Sequence, residues 1–299
     1  MADIDASDQA AKPARTGRAE PREITELRAI RERHPELADA ADMHIELIEM
    51  YRRVQGRVPL PWMELNEDVV ARHDAEGRPI LRFEQIPLDL TDFRLLVRQT
   101  ADVLQRFGEL EESDSQQVQM LGRDMALVAV AGEWFGRGAE RHAAASAGAR
   151  HERPGSPSHA AIDQVLMLAM RPFLSRCAEV LQLRQDLSLW THPYCALCGG
   201  EPDFSVITPT AERHLICSRC TLQWKFEPLT CPYCLNNDRR RITSFATTDG
   251  QYRVYGCDVC RRYLKAYDGR RTKRPVMPLV DGVATLPLDA AAMQRGYSA

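Results

Sequence analysis

Eight of the nine cysteines in this 299-residue chain stand in four Cys-x-x-Cys pairs, all within 66 residues. The pairs are Cys195/Cys198, Cys217/Cys220, Cys231/Cys234 and Cys257/Cys260. A thiolate three positions beyond its partner can share one tetrahedral metal ion, and two such pairs complete a four-sulfur site. Four pairs therefore predict two metal ions per chain, with all eight paired cysteines as ligands. Pairs at this density favour metal over disulfides or chance recurrence.

The cysteine block repeats itself. The second unit starts 36 residues after the first, and its second pair follows the earlier one by 40. Each unit places a hairpin pattern between its pairs. Phe204 to Ile207 and His214 to Ile216 flank Thr208-Pro209-Thr210, and Ile242 to Phe245 and Tyr252 to Tyr255 flank Asp249-Gly250. Asp-Gly is a favoured tight-turn dipeptide. A short strand is expected after each second pair, at Gln223 to Phe226 and Tyr263 to Tyr267. Knuckle, hairpin, knuckle, strand is the layout of a zinc ribbon or rubredoxin-like module. The region thus reads as two tandem modules, 187–229 and 230–274. The simplest ligand sets are sequential, the first four and the last four cysteines. An interleaved cross-brace fits the same count. Domains below ~40 residues usually need a metal or a staple, so the metal is structural at minimum. Zinc and iron both accept four thiolates in tetrahedral geometry, and spacing does not separate them. A closed four-thiolate set leaves no position for water, which argues against hydrolytic zinc chemistry.

Upstream, the chain predicts a helical domain over 23–186, giving an α+β fold class overall. Met43, Leu47, Met50 and Val54 recur at helical spacing, as do Phe93, Leu96, Thr100, Val103 and Phe107. Helices are expected near 23–33, 36–54, 62–72, 91–108, 115–135 and 159–183. They are separated by breakers at Pro35, Gly56 to Pro59, Pro79, Pro87, Gly108 and the Gly136 to Pro157 stretch. Gly148 to His159 reads as an exposed loop. Cys177 shares an apolar stripe with Ile162, Leu166, Ala169, Phe173 and Val180 and reads as a buried core thiol. Glu133-Trp134-Phe135 reads as a core anchor. The chain has no Gly-rich phosphate loop, no His-Glu-x-x-His and no nucleophile elbow, so no catalytic or cofactor-binding constellation is expected beyond the metal ligands.

Charge and compartment add two expectations. No apolar run approaches the ~18 residues of a membrane span. Residues 1–22 read as a disordered leader without a secretory apolar core. Eight cysteines kept for metal suit a reducing cytoplasm. The net charge of −3 is unevenly placed. Arg184 to Arg274 carries 15 Lys/Arg against 9 Asp/Glu, a net +6, which leaves −9 elsewhere. The basic excess sits at Arg239-Arg240-Arg241, Arg261-Arg262 and Arg270 to Arg274. Such clusters contact phosphates, solvate a face or steer an acidic partner.

Together these features resemble the FdhE family of formate dehydrogenase accessory (formation) proteins. The resemblance is carried by Cys195-Ala-Leu-Cys198-Gly199 with Pro202, and by Leu215-Ile-Cys217-Ser-Arg-Cys220 with Trp224. It continues in Cys231-Pro-Tyr-Cys234, Cys257-Asp-Val-Cys260 with Tyr263-Leu264-Lys265, and the tail Ala284 to Asp289 ending in Gly296-Tyr297. One departure is Leu235-Asn236-Asn237 after the third pair, where knuckles often carry Gly. The resemblance implies a non-enzymatic, rubredoxin-like maturation factor for respiratory formate dehydrogenase. It would bind the catalytic subunit in the cytoplasm before twin-arginine export, with 275–299 as a C-terminal docking segment. Two rival functions remain. One is a nucleic-acid binder stacking bases on Trp224, Tyr233, Tyr252 and Tyr263, which the resemblance disfavours. The other is an iron-dependent electron-transfer protein.

Overall fold

In the computed structural model, residues 20–63, 66–146, 157–184, 187–272 and 274–299 are described. Helix α1 (Arg22–Arg33) leads through a 3-10 turn at Pro35–Leu37 into α2 (Ala38–Gln55). The α2 stripe read from the sequence, Met43, Leu47, Met50 and Val54, enters the main core. A second apolar face of α2, with Ala41, Ile45 and Ile48, meets Ile24, Leu27 and Ile30 of α1 in a separate, smaller core. Helix α3 (Glu67–Glu76) starts at Asn66, whose side chain accepts from Val69 N at 2.8 Å. It stops at Gly77, which is left-handed at φ 61°. Gly77 also passes close under Tyr194: a Cβ there would lie 2.8 Å from the Tyr194 hydroxyl, which donates to Gly77 O at 2.6 Å.

Helix α4 (Leu90–Arg106) is capped by Asp89, which accepts from Asp92 N, and it buries Phe93, Leu96, Thr100 and Val103. Next come α5 (Glu112–Leu121), α6 (Leu127–Ser146) and α7 (Pro157–Arg184). Leu166, Ala169, Phe173, Cys177 and Val180 of α7 are buried, and burial pushes the Cys177 thiol up to about 12.

Three expectations about this region need correction. The single helix expected near 115–135 is two helices, because the chain turns at Gly122 and Asp124 then accepts from Ala126 N to start α6. The break expected from Gly136 does not occur: α6 runs through Gly136 and Gly138 to Ser146. A helix tolerates an isolated glycine at about 1 kcal/mol, and packing against α7 and the Phe83–Gln85 turn outweighs that. The helix expected at 62–72 lies at 67–76, displaced to its Asn66 cap. Most of the expected loop at 148–159 and the leader up to residue 19 lie outside the described residues; residues 157–159 begin α7.

The cysteine-rich region forms one six-stranded sheet in the order β3-β2-β1-β6-β5-β4. The strands are β1 (Pro202–Ile207), β2 (Arg213–Cys217), β3 (Gln223–Phe226), β4 (Ile242–Ala246), β5 (Tyr252–Cys257) and β6 (Tyr263–Asp268). Each unit is an antiparallel three-stranded meander, as its hairpin pattern predicts. The α+β class is the one observed. The sequence pattern did not reveal how the units join. β1 and β6 pair in parallel, from Phe204↔Lys265 to Ile207↔Asp268, so two meanders fuse edge to edge. That pairing hides one open edge of each unit, which would otherwise leave unpaired amides and carbonyls.

The C-terminal segment then ties the layers together. α8 (Pro278–Ala284) places Val280 and Val283 in the smaller core of α1 and α2. α9 (Leu286–Gln294) and Tyr297 cover Tyr252, Val254 and Tyr263 of the sheet. At the hinge of this segment Asp281, fully buried, accepts from Met277 N at 2.6 Å, from the Tyr252 hydroxyl at 2.8 Å and from the Arg274 guanidinium. Asp281→Ala leaves Arg274 without its carboxylate, and breaking a buried pair costs about 3–5 kcal/mol. The expected result is a lower urea midpoint and earlier proteolytic release of the tail, with metal content unchanged. Limited proteolysis beside a urea titration checks it.

Candidate metal centres

All four Cys-x-x-Cys pairs adopt the same backbone turn. In each, the first cysteine's carbonyl accepts from the N–H four residues on: Gly199 at 2.9 Å, Thr221 at 3.1 Å, Leu235 at 2.9 Å and Arg261 at 2.8 Å. That fourth residue is left-handed every time, at φ 65°, 61°, 59° and 60°. Only the first is glycine. A left-handed non-glycine residue costs roughly 1–2 kcal/mol, so three knuckles hold a strained residue. The departure noted at Leu235 therefore changes the strain of the turn and leaves its hydrogen bond in place.

The knuckles meet in the sequential sets; the interleaved cross-brace is not the arrangement seen. Cys195, Cys198, Cys217 and Cys220 form one tetrad, and Cys231, Cys234, Cys257 and Cys260 the other, each with its sulfurs within 4.8 Å of one another. The close Sγ–Sγ separations are 3.5 Å for Cys195/Cys220 and Cys198/Cys217, and 3.6 Å for Cys198/Cys220. In the second tetrad they are 3.7 Å for Cys231/Cys260 and 3.6 Å for Cys234/Cys257. A disulfide would bring sulfurs to ~2.05 Å. A tetrahedron with ~2.3 Å metal–sulfur arms has edges of ~3.8 Å. The donor sets fit a four-thiolate metal site. Iron or zinc, when bound, would be held by these eight sulfurs and would supply charge neutralisation and folding energy.

The protonation of the sulfurs points the same way. Burial drives Cys195 and Cys220 well up, while hydrogen bonds from Cys195, Cys217 and Cys220 draw Cys198 well down. In the second tetrad the Cys231 bond holds Cys260 at about 5, that same bond and then burial raise Cys231, and burial lifts Cys234 to about 11. Cys198 and Cys260 thus favour the thiolate while Cys195, Cys220, Cys231 and Cys234 resist it, and a cation is what draws such raised thiols off their protons.

The two centres differ in surroundings. The first is sealed: its four cysteines are at most 1% exposed. Ile80 N and Leu81 N donate to Ala196 O and Leu197 O, the residues between Cys195 and Cys198, at 2.9 and 2.8 Å. Tyr194 and Trp190 close one side, with Trp190 Nε1 donating to Tyr194 O at 2.7 Å. On another side Arg219 lies over the Trp134 ring at 4.3 Å and donates to the carbonyls of Phe135 and Trp134 at 3.1 and 3.2 Å. Trp134 and Phe135 are core residues, as expected. The second centre opens outward: Cys234 is exposed, Cys260 half-buried, and Leu235 and Val259 at its knuckle tips are 58% and 51% exposed.

The remaining candidates fall out as follows. Trp224 is 1% exposed, Tyr263 5% and Tyr252 8%, while half-buried Tyr233 donates to Pro202 O. They are structural rings with little face left for a base to stack on. Part of the basic excess is consumed inside the chain, since Arg270 pairs with Asp268, Arg262 with Glu201 and Arg274 with Asp281. Arg239, Arg240 and Arg241 stay exposed, and Lys273 lies outside the described residues. No helix among the described residues is long and apolar enough to cross a membrane. Sequence reasoning missed Arg219, Arg171 and Arg213, which are buried; nothing in a sequence marks an arginine as buried.

The fold and its cysteines define a class: an α+β protein in which rubredoxin-like knuckles build two four-cysteine centres able to hold two metal ions. No family model matches the chain. It is 36% identical over 109 residues to the Protein FdhE homolog of Shewanella oneidensis, covering 35% of each chain. It is 28% identical over 137 residues to that of Aquifex aeolicus, covering 44% of this chain and 47% of the relative. Against Protein FdhE of Escherichia coli O1:K1 it is 30% identical over 109 residues, 35% of each. The matched stretch thus spans about a third to a half of these relatives' length. The crystal structure of the FdhE protein from Pseudomonas aeruginosa shares the fold, with a TM-score of 0.56 at 19% identity over 93% of this chain and 92% of that one. By sequence over the matched stretch the chain is similar to FdhE proteins, and by fold over nearly its whole length it is similar to the solved one.

The centres differ in what they support, so single substitutions should separate them. Cys198→Ser and Cys234→Ser are each expected to lower metal content from two ions per chain to one, read by elemental analysis of reduced protein. Loss of a four-thiolate site removes on the order of 10 kcal/mol of coupled folding energy. Cys198→Ser should loosen the helix–sheet junction, seen as faster amide exchange at Ile80 and Leu81. Cys234→Ser should leave those amides protected.

Proposed function

We propose that this chain is an accessory protein in the maturation of respiratory formate dehydrogenase. It binds the catalytic subunit in the cytoplasm before export, turns over no substrate and stays out of the finished enzyme. One observation carries the reading: the chain is 30–36% identical to FdhE proteins over a 109-residue stretch and shares its fold with a solved one. Three others support it. Both tetrads are closed sets of sulfurs with no further ligand position. The described residues gather no other cluster of metal-ligating side chains. The exposed Arg239–Arg241 run lies at the outer edge of the sheet, before β4, and suits an acidic surface on the client.

Changing Arg239, Arg240 and Arg241 to Glu is expected to slow client association and flatten its salt dependence, with both metals retained. A pull-down with the catalytic subunit, run beside salt-titrated DNA and RNA binding, decides the matter. Tight nucleic-acid binding at physiological salt with no client capture would overturn the reading. A second role, electron transfer, draws on one observation, the exposure of Cys234 at the second centre. It requires iron there, and protein purified without oxygen and then oxidised with ferricyanide would show a visible sulfur-to-iron charge-transfer band. A colourless, zinc-filled protein rejects it.

A further inference from the structure

Three buried arginines stand beside the tetrads with no acid in ion-pair contact, although Asp203 faces Arg171 across a cavity. Arg219, Arg213 and Arg171 are 4%, 5% and 9% exposed. Their guanidiniums bond only to backbone carbonyls. Arg219 reaches Phe135 O and Trp134 O, Arg171 reaches Ser218 O at 2.6 Å, and Arg213 reaches Glu227 O, Pro228 O and Thr230 O, the last at 2.9 Å. Among the described residues no carboxylate lies within 4.0 Å of any of them. Elsewhere in the chain the pattern is the opposite: Arg253, Lys265 and Arg274 each meet a buried or half-buried aspartate. A buried charge left unpaired is strongly unfavourable, and neutral carbonyls solvate a cation without cancelling it.

What the three share is sulfur close by. Arg219 lies within the Cys217–Cys220 knuckle, and its own N–H points at Cys217 Sγ at 3.4 Å. Arg171 holds the carbonyl of Ser218 in that same knuckle. Arg213 holds the carbonyl of Thr230, immediately before Cys231. A divalent ion bound by four thiolates keeps two net negative charges. We infer that Arg219 and Arg171 are the counter-charges of the first metal–thiolate centre, and Arg213 that of the second. This rests on metal binding by the tetrads.

The space for Arg219 is specifically kept clear. A Cβ on Gly138 would lie 2.6 Å from its Nη1, and one on Gly200 would lie 2.8 Å from Cys217 Sγ and 3.1 Å from Arg219 Cδ. Trp134 shields the guanidinium from water, so its attraction for the thiolates acts at low dielectric. The second centre needs less help. Its Cys234 is open to solvent, and the nearby Arg262 is already matched by Glu201 at 3.1 Å. Asp203 lines the same cavity as Arg171 and Cys217 but forms no ion pair with Arg171.

The test uses the full chain loaded with zinc and follows its transfer to the chelating dye 4-(2-pyridylazo)resorcinol. Wild type should release one ion slowly and one faster. Removing a second-sphere partner typically costs 10–100-fold in metal affinity, so Arg219→Gln should speed the slow phase roughly tenfold or more and spare the fast one. Arg213→Gln should speed the fast phase instead. Arg219→Lys, which keeps the charge, should stay near wild type. A second readout loads ferrous iron. The reduced centre carries the greater negative charge, so Arg219→Gln should lower its reduction potential while Arg219→Lys leaves it in place. A guanidinium that served only to cap the carbonyls of Trp134 and Phe135 would make Lys and Gln equally labile and move no potential. That outcome, or wild-type release rates in both Gln variants, overturns the inference. If Arg219→Gln fails to fold, Arg171→Gln carries the same two readouts. Wild-type protein that binds no metal at all would instead defeat the metal reading itself.

Discussion

Burying the first tetrad between a helical layer and a sheet is the constraint on which the other contacts depend. A module of some forty residues has too little apolar surface to fold alone. Here Leu197, Leu222 and Trp224 of the first module join Trp134, Phe173 and Leu181 of the helices in one continuous core. The knuckle carbonyls of Ala196 and Leu197 are satisfied by the Ile80 and Leu81 amides of the helical layer, and Tyr194 reaches back to Gly77. Metal binding, backbone pairing and core packing thus serve one junction. The second module shares little of that core. It is attached by the β1–β6 ladder and by the tail, which leaves its cysteine centre facing outward.

Charge separation along the chain proved a poor guide to charge in space. The +6 segment suggests a broad basic face, yet Arg262, Arg270 and Arg274 are neutralised by Glu201, Asp268 and Asp281. Arg171, Arg213 and Arg219 are withdrawn from the surface altogether. What remains outside is Arg261, held by Asp258, together with Arg271 and a compact run at Arg239–Arg241, a feature suited to choosing a partner more than to coating a polyanion.

The sequence was most readable where spacing is imposed by chemistry. Cysteine pairs must sit three apart to chelate and must be separated by a hairpin to meet, so the eight candidate ligands and all six strands could be read from pattern, while the choice between sequential and interleaved sets could not. Helix faces were readable for the same kind of reason, as with Met43, Leu47, Met50 and Val54. Features set by side-chain reach across the fold left no such trace. The Asp124 cap that divides α5 from α6 looks like any aspartate in a helix. Gly136 and Gly138 read as breakers, although at Gly138 the missing side chain makes room for Arg219. The parallel junction of β1 and β6 depends on two edges 61 residues apart in sequence, as Phe204 is from Lys265, and nothing local announces it.

The tail has a consequence for how the chain is made. The smaller core joins Ile24, Leu27 and Ile30 near one end of the chain to Val280 and Val283 near the other. A ribosome synthesises the first set well before the second. Over that interval the inner face of α1 and one face of α2 lack their cover, whatever the state of the cysteines. Closure therefore waits for α8, and a chain from which α8 is missing displays an apolar surface that the closed fold hides.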